Sequence, residues 1–199
     1  MDFREVVAAR RMVRNFTDAP VEDRVLRRLL DRARRAPSAG NSSATHFLVL
    51  RGPEETGRYW DLTLAPEARP TFPWPGLLRA PVLVVPLAQA EAYVERYQAP
   101  DKAATGLGEG VDRWAVPYWY VDTGFATMSL LLGVVDAGLG ACFFGLFDHG
   151  PAVMRTFGVP SRFAPIGTVA LGHPAPDRQS KSSRRPRPAL DDVTHWGSW

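Results

Sequence analysis

Between Pro117 and Gly138 the chain carries a segment of helical length that is apolar on nearly every side. Phe125, Met128, Leu130, Leu131, Leu132, Val134 and Val135 fall at all angles around a helix axis, and Asp122 and Asp136 are its only charges. A helix that is hydrophobic all round offers no face to water, so it belongs in the middle of a protein or in a subunit interface. Its charge-free run, Thr123 to Val135, is thirteen residues and too short to span a bilayer. Gly138 supplies the left-handed residue that ends such a helix.

The rest of the sequence reads as elements able to cover this helix. With 45% hydrophobic and 23% charged residues, 199 residues suffice for one domain or at most two small ones, and exclude disorder and collagen-like repeats. Asp2 to Arg11 is a short amphipathic helix with Phe3, Val6 and Val7 on one face and Arg10 at its carboxyl end. Glu22 to Arg35 is a second helix, with Val25, Leu26, Leu29, Leu30 and Ala33 as its buried stripe and six arginines largely on the other face. Pro37 stops it, and Pro37 to Thr45 is loop. Strands follow at His46 to Leu50 and Val82 to Leu87, the latter apolar enough for a buried sheet position, with a helix at Glu54 to Leu64 and a Pro-rich loop at Pro66 to Pro81 between them. Ala99 to Trp114, with Gly106, Gly108 and Gly110, reads as a mobile surface loop. Ala141 to Phe147 is extended, Asp148 begins a short helix that stops by Gly158, and Ile166 to Leu171 is the last strand. No repeat or Gly/Ser-rich linker divides the chain, so one α+β domain over residues 1–199 is the economical reading.

Charge is unevenly spread. Five of the 24 cations and none of the 21 acids lie between Arg178 and Arg187 (Arg178, Lys181, Arg184, Arg185 and Arg187), so that run carries +5 and the remainder −2. Such a run meets something anionic, either nucleic acid or one phosphate of a small cofactor, and composition does not choose between them. The single Cys142 excludes an internal disulfide framework and implies a reducing, cytoplasmic compartment. Nothing in MDFREVVAARR directs export. His46, His149, His173 and His195 lack ligand spacing, so no metal is expected. Gly138-Leu139-Gly140 precedes a strand rather than following one, which excludes a dinucleotide fingerprint. Trp114, Tyr118, Trp119 and Tyr120, and Phe72 with Trp74, read equally as pocket walls or as core.

Six short motifs in order give the chain a resemblance. Arg10-Arg11-Met12-Val13-Arg14-Asn15-Phe16 is followed by Ala36 to Ser43 (APSAGNSS) running into the strand at His46. The buried helix ends in Gly138-Leu139-Gly140, and Phe143-Phe144-Gly145 comes after it. Pro165 to Gly172 has the form Pro-x-Gly-x-x-x-x-Gly, and Arg185 and Arg187 stand ahead of Leu190 to Trp196 (LDDVTHW). Over almost its full length this order resembles the FMN-dependent nitroreductase family.

The resemblance implies an α+β fold with a central mixed β-sheet flanked by helices, a long buried central helix and an intertwined homodimer. It implies FMN as cofactor, NADH or NADPH as electron donor, and transfer of two electrons by a ping-pong mechanism to a nitroaromatic, quinone or similar conjugated acceptor. Flavin N5 would carry the chemistry, so no catalytic side chain is expected. The phosphate dianion would be held by the forked guanidiniums of Arg10, Arg185 and Arg187. Arg14 would approach the pyrimidine edge, where reduction places negative charge. Arg11, Met12, Pro37, Ser38, Ala39 and Asn41 would complete the polar contacts to the ring and ribityl chain. A backbone N–H near Phe143, Phe144 and Gly145 would point at N5. The loop from Pro37 to Asn41 and the stretch Phe143 to Gly145 would serve different halves of one site, and residues 178–199, with Trp196 and Trp199, would wrap the partner subunit.

Two departures from the family pattern bear on substrate choice. Met12 replaces the usual serine, and Asn41-Ser42-Ser43-Ala44-Thr45 replaces Asn-Ser-Gln-Pro-Trp, which implies a looser hold on the flavin or a larger pocket. They leave room for a second reading with the same fold and FMN but with dehydrogenation, dehalogenation or flavin fragmentation as its chemistry. A third reading, a nucleic-acid-binding domain, would use the arginine face of residues 22–35 and the basic run. It predicts a colourless protein and lacks interleaved aromatics to stack on bases. The FMN reading expects no nucleic-acid partner and no membrane.

Overall fold

The computed structural model describes residues 1–178, 180 and 184–199, so Lys181 of the basic run lies outside the described residues. Strands β1 (His46–Arg51), β2 (Val82–Ala88), β3 (Gly140–Phe144), β4 (Ala164–Pro165) and β5 (Thr168–Gly172) form one sheet in the order β1-β2-β5-β3, with β4 beside β2. Every ladder is antiparallel. The mixed character implied by the resemblance is confined to one isolated parallel bridge, Met12 with Ala141.

The period-2 alternation of β2 feeds two cores. Val82 and Val84 pack on one face with Leu26 and Leu29 of α2 (Asp23–Ala33) and Leu130, Leu131 and Val134 of α5 (Tyr118–Asp136). Leu83 and Val85 pack on the other with Tyr59 and Trp60 of α3 (Gly52–Thr63) and Val153 of α6 (Gly150–Thr156). Pro86 occupies an interior strand without breaking it, because β5 pairs only Val82 to Val84 and β4 only Leu87 and Ala88. In the gap between them Ile166 N–H donates to the Pro86 carbonyl at 3.1 Å.

The central helix departs from the sequence expectation. Half of α5 is buried, but Phe125 and Met128 are 48% and 43% exposed, so only one side is covered by this chain. The amphipathic helix α1 (Phe3–Ala9) lies against α5 and buries only Val6, leaving Phe3 and Val7 exposed. Phe3 and Val7 on α1 and Phe125 and Met128 on α5 are thus large apolar side chains that this chain leaves exposed.

A helix not foreseen from the sequence, α4 (Ala90–Tyr97), follows β2, and a loop expectation is corrected beside it. Ala99 to Trp114 is not a loose loop but a series of short turns packed on α4: Trp114 is buried, meets Tyr97 edge-on at 4.8 Å, and donates Nε1–H to the Leu107 carbonyl at 3.0 Å. Trp114 and Trp119 are thus core around Tyr93, while Tyr118 and Tyr120 are exposed. The extended stretch expected to reach Phe147 ends as strand at Phe144. Among the described residues no helix is long and apolar enough to cross a membrane.

Candidate active site

The segment after α1 runs alongside β3. Arg10 is the extended C-cap of α1, Val13 N–H donates to the Ala141 carbonyl at 2.8 Å, and Phe143 N–H donates to the Met12 sulfur at 3.3 Å. Met12, where the family pattern has serine, therefore ties the arginine segment to Phe143 through a soft acceptor. Arg11 is exposed, and Arg10 and Arg14 are half-buried.

Arg14 is fixed from the far end of the chain. Its backbone N–H donates to Asp177 Oδ2 at 2.7 Å, Asn15 Nδ2 donates to the Pro176 carbonyl at 2.5 Å, and Thr17 N–H to the His173 carbonyl at 3.0 Å. The Arg14 guanidinium lies 5.2 Å from the centroid of Trp74, and that of Arg178 lies 4.5 Å from the same ring. Two cations lie on one indole, and Asp177, whose carboxylate accepts from the Arg14 amide, lines the same corner. Trp74 is thereby a site residue rather than plain core. Sequence reading left it ambiguous, since nothing marks which tryptophan of a Pro-rich loop meets arginine.

Phe143, Phe144 and Gly145 end β3 beside this corner. A cavity of about 320 Å³ opens there, lined by Arg14, Phe72 and Trp74 on one side, by Tyr59 and Trp60 of α3, and by Phe143 to Phe147. Burial pushes the Tyr59 phenol up to about 12, with its hydroxyl 2.7 Å from Thr168 Oγ1, so it stays protonated. Burial likewise pushes the Cys142 thiol up, which agrees with an inert cysteine.

Pro37 to Asn41 belongs to a different neighbourhood. Ala39 N–H donates to Asp122 Oδ2 at 2.8 Å, Tyr93 O–H donates to the same oxygen at 2.7 Å, and Arg96 Nε donates to the Gly40 carbonyl at 2.7 Å. Ser43 N–H donates to Ser38 Oγ at 2.9 Å. Gly40, Asn41 and Ser43 all have positive φ (61°, 56° and 49°), so the loop is held in a conformation that side chains disfavour. A Cβ on Gly40 would stand 2.6 Å from the Tyr97 ring. Asp122 is the functional residue that sequence reading passed over. Its signal was present, an acid in an otherwise apolar helix, and its buried carboxylate is the anchor of the loop.

Within one subunit, then, the sequence-assigned residues fall into two groups. Arg14, Phe143, Phe144 and Gly145 share the cavity, with Met12 tied to Phe143, while Pro37, Ser38, Ala39 and Asn41 are carried by α4 and α5. Arg185 and Arg187 are exposed, and neither they nor Arg10 has an ion-pair partner among the described residues. Arginines near α2 differ: Arg32 pairs with Asp136, and Arg34 and Arg35 with Asp31, so that face is largely neutralised.

The match to known proteins fits this geometry. Residues 7–173 match the model of the nitroreductase family. The chain belongs to the nitroreductase family. Among its relatives is an NADH dehydrogenase of Thermus thermophilus, 28% identical over 98% of this chain and 96% of that protein. A 4-nitrobenzoate reductase of Nocardioides sp. is 25% identical over 95% of this chain and 87% of its own length. The fold is shared with the FMN complex of an Exiguobacterium sibiricum protein, with a TM-score of 0.78 at 18% identity, covering 98% of this chain and 97% of that one. In this nitroreductase-family chain the Arg14 guanidinium and the flat-walled cavity it lines suit an aromatic ring that carries negative charge at its edge.

Proposed function

We propose that this chain is an FMN-dependent oxidoreductase that takes electrons from NADH or NADPH and passes them two at a time to a nitroaromatic, quinone or related conjugated acceptor. The observation that supports it most is the end of β3, where Arg14 over Trp74 and the stretch Phe143 to Gly145 border one aromatic cavity. The relative named a 4-nitrobenzoate reductase, and one named an NAD(P)H-dependent FMN reductase, agree with this reading.

Arg10, Arg185 and Arg187 would hold the phosphate, Arg14 the pyrimidine edge of the ring, and the backbone at Phe144 and Gly145 its N5 side. FMN when bound supplies the two-electron step. What the protein adds is orientation, positive charge at the ring edge, and aromatic walls that exclude water. Reduction of a nitro group to nitroso by one NAD(P)H consumes one proton and releases one water. Reduction of a quinone to its hydroquinone likewise takes two electrons and two protons. Donor and acceptor would occupy one place in turn, which makes the kinetics ping-pong.

The site would be completed by a second copy of the chain. Phe3 and Val7 on α1, and Phe125 and Met128 on α5, are apolar side chains that a monomer would leave in water. Trp196 and Trp199, 84% and 101% exposed, are surfaces of the same kind in the tail. A partner would bring its own Pro37 to Asn41 loop toward the cavity, uniting the two groups that one subunit keeps apart.

The deciding measurement is the absorption spectrum of the purified protein. A yellow protein that releases FMN on denaturation and oxidises NAD(P)H only with a quinone or nitro compound present supports the proposal. A colourless protein with no such turnover overturns it. Arg187→Ala should lower FMN occupancy about tenfold with folding unchanged, and unaltered occupancy removes Arg187 from the phosphate site. Phe125→Asp should turn a dimer into a monomer in sedimentation velocity, and a variant that remains dimeric places the interface elsewhere.

A further inference from the structure

One face of α4 is given over to the loop from Pro37 to Asn41. Tyr93, Arg96 and Tyr97 stand at the i, i+3 and i+4 positions of that helix, so their side chains leave it on the same side. Tyr93 shares the Asp122 carboxylate oxygen with the Ala39 amide, and the Tyr97 ring closes on Gly40 so tightly that it leaves no room for a Cβ. The half-buried Arg96 makes the remaining contact, through Nε–H to the Gly40 carbonyl at 2.7 Å. Its other two nitrogens are occupied: Nη1 donates to Asp101 Oδ1 at 2.8 Å and Nη2 to Asp101 Oδ2 at 2.7 Å.

A guanidinium is a rigid planar fork, so a carboxylate that takes both of its outer N–H groups also fixes the direction of the third. Asp101 belongs to the turns that follow α4, and that stretch is itself held to the helix. Gln98 Nε2 donates to the Gly108 carbonyl at 3.0 Å, and a Cβ on Gly108 would stand 2.7 Å from the Tyr97 carbonyl oxygen. The bonds from Arg96 favour the charged carboxylate and hold the Asp101 carboxyl below its ordinary value. The Gly40 carbonyl lies in the same peptide plane as the Asn41 N–H. That plane joins two residues with positive φ, which residues other than glycine adopt at a cost. Asn41 is exposed and its side-chain Nδ2 has no partner among the described residues, so the plane that Arg96 fixes sets where that donor stands.

We propose that Arg96, oriented by Asp101, is a positioning residue for cofactor binding: it holds the Gly40–Asn41 peptide so that the Asn41 amide meets the flavin. The inference rests on the oxidoreductase reading, which sets Asn41 against the flavin ring or ribityl chain. Asp122 anchors the loop at Ala39, and Arg96 sets the peptide that follows. Arg96 acts without touching the cofactor, so its effect on binding passes through Asn41.

Arg96→Lys keeps the positive charge but gives up the planar fork. Equilibrium dialysis of FMN against the purified protein should show affinity weakened about tenfold, equivalent to ~1.4 kcal/mol. In a protein already carrying Asn41→Ala the same change should weaken FMN less than about twofold, because the contact that it positions is gone. Unchanged affinity, or an equal loss in both backgrounds, overturns the proposal. Asp101→Asn, at an exposed position, is an independent check that leaves α4 intact, and it should weaken FMN about threefold. Affinity equal to that of the unaltered protein overturns the role of Asp101. Hydrogen exchange supplies a readout that needs no flavin. The amides of Ala39, Asn41, Ser42 and Ser43, bonded within the loop or to Asp122, should exchange about tenfold faster in Arg96→Lys, while those of β2 keep their rates. Loop rates that do not change overturn the proposal whether or not FMN binds. The two proposals therefore fail separately. An unaltered protein that takes up no FMN refutes the flavin reading, and faster loop exchange in its Arg96→Lys variant still upholds Arg96 as the residue that holds the loop. A yellow, active protein whose FMN affinity ignores Arg96→Lys refutes this inference alone.

Discussion

The loop Pro37 to Asn41 and the end of β3, which the family pattern brings to one flavin, are fixed in this chain by opposite means. The loop hangs on polar atoms: one buried carboxylate oxygen of Asp122 takes two donors, Arg96 takes the Gly40 carbonyl, and three residues have positive φ. The end of β3 is set by a ladder to β5 and by aromatic packing, with Phe144 against Trp60 and Phe143 against Gly167. Each region also holds one buried tyrosine. Tyr59 pairs with the neutral Thr168, whereas Tyr93 pairs with the charged Asp122 and is pushed further up, first by burial and then by that carboxylate. A loop held by hydrogen bonds fails when one atom is changed, whereas a packed strand end fails when volume is changed.

Removing the anchor should have the largest effect. Asp122→Ala leaves Tyr93 O–H and Ala39 N–H without an acceptor and should cost about 3–5 kcal/mol in urea denaturation. A loss under about 1 kcal/mol would erase the contrast between the regions. The second effect is alkaline. Burial raises Tyr59 from 10.0 to about 12, so the folded state favours the protonated phenol. The stability tied to it is complete below pH 10 and is lost as pH rises toward about 12, by up to ~2–3 kcal/mol. Tyr59→Phe should flatten the fall of the urea midpoint over that range, leaving the part due to Tyr93. An unchanged slope would detach Tyr59 from it. The smallest effect is steric: Gly40→Ala meets the Tyr97 ring at φ +61° and should cost about 2 kcal/mol in the same denaturation. Full stability there would mean that the left-handed turn is not needed.

Much of this was legible along the chain. The continuous apolar run of β2, the amphipathic stripe of α2 and the apolar extent of α5 follow from the pattern of neighbouring side chains, which is local information. The family pattern carried Arg14, Phe143, Phe144 and Gly145 to what proved to be one cavity. Less visible was whatever depends on partners distant in sequence. Met12 looked like a lost hydroxyl until its sulfur was found to take the Phe143 amide. Trp74 gained a role only because Arg14 and Arg178 both lie on it, and residues 99–114 looked loose because their anchors, Tyr97 and Trp114, have no signature of their own.

What the sequence by itself determined is the set of elements, their order and the apolar helix around which they gather, because hydrophobic period and turn chemistry act over a few residues. What only the tertiary structure decided is which residues distant in sequence meet: Asp177 with Arg14, Asp122 with Ala39, and Trp60 with Phe144. Those contacts are selected by the packing of whole elements, and one side chain at a time does not encode them.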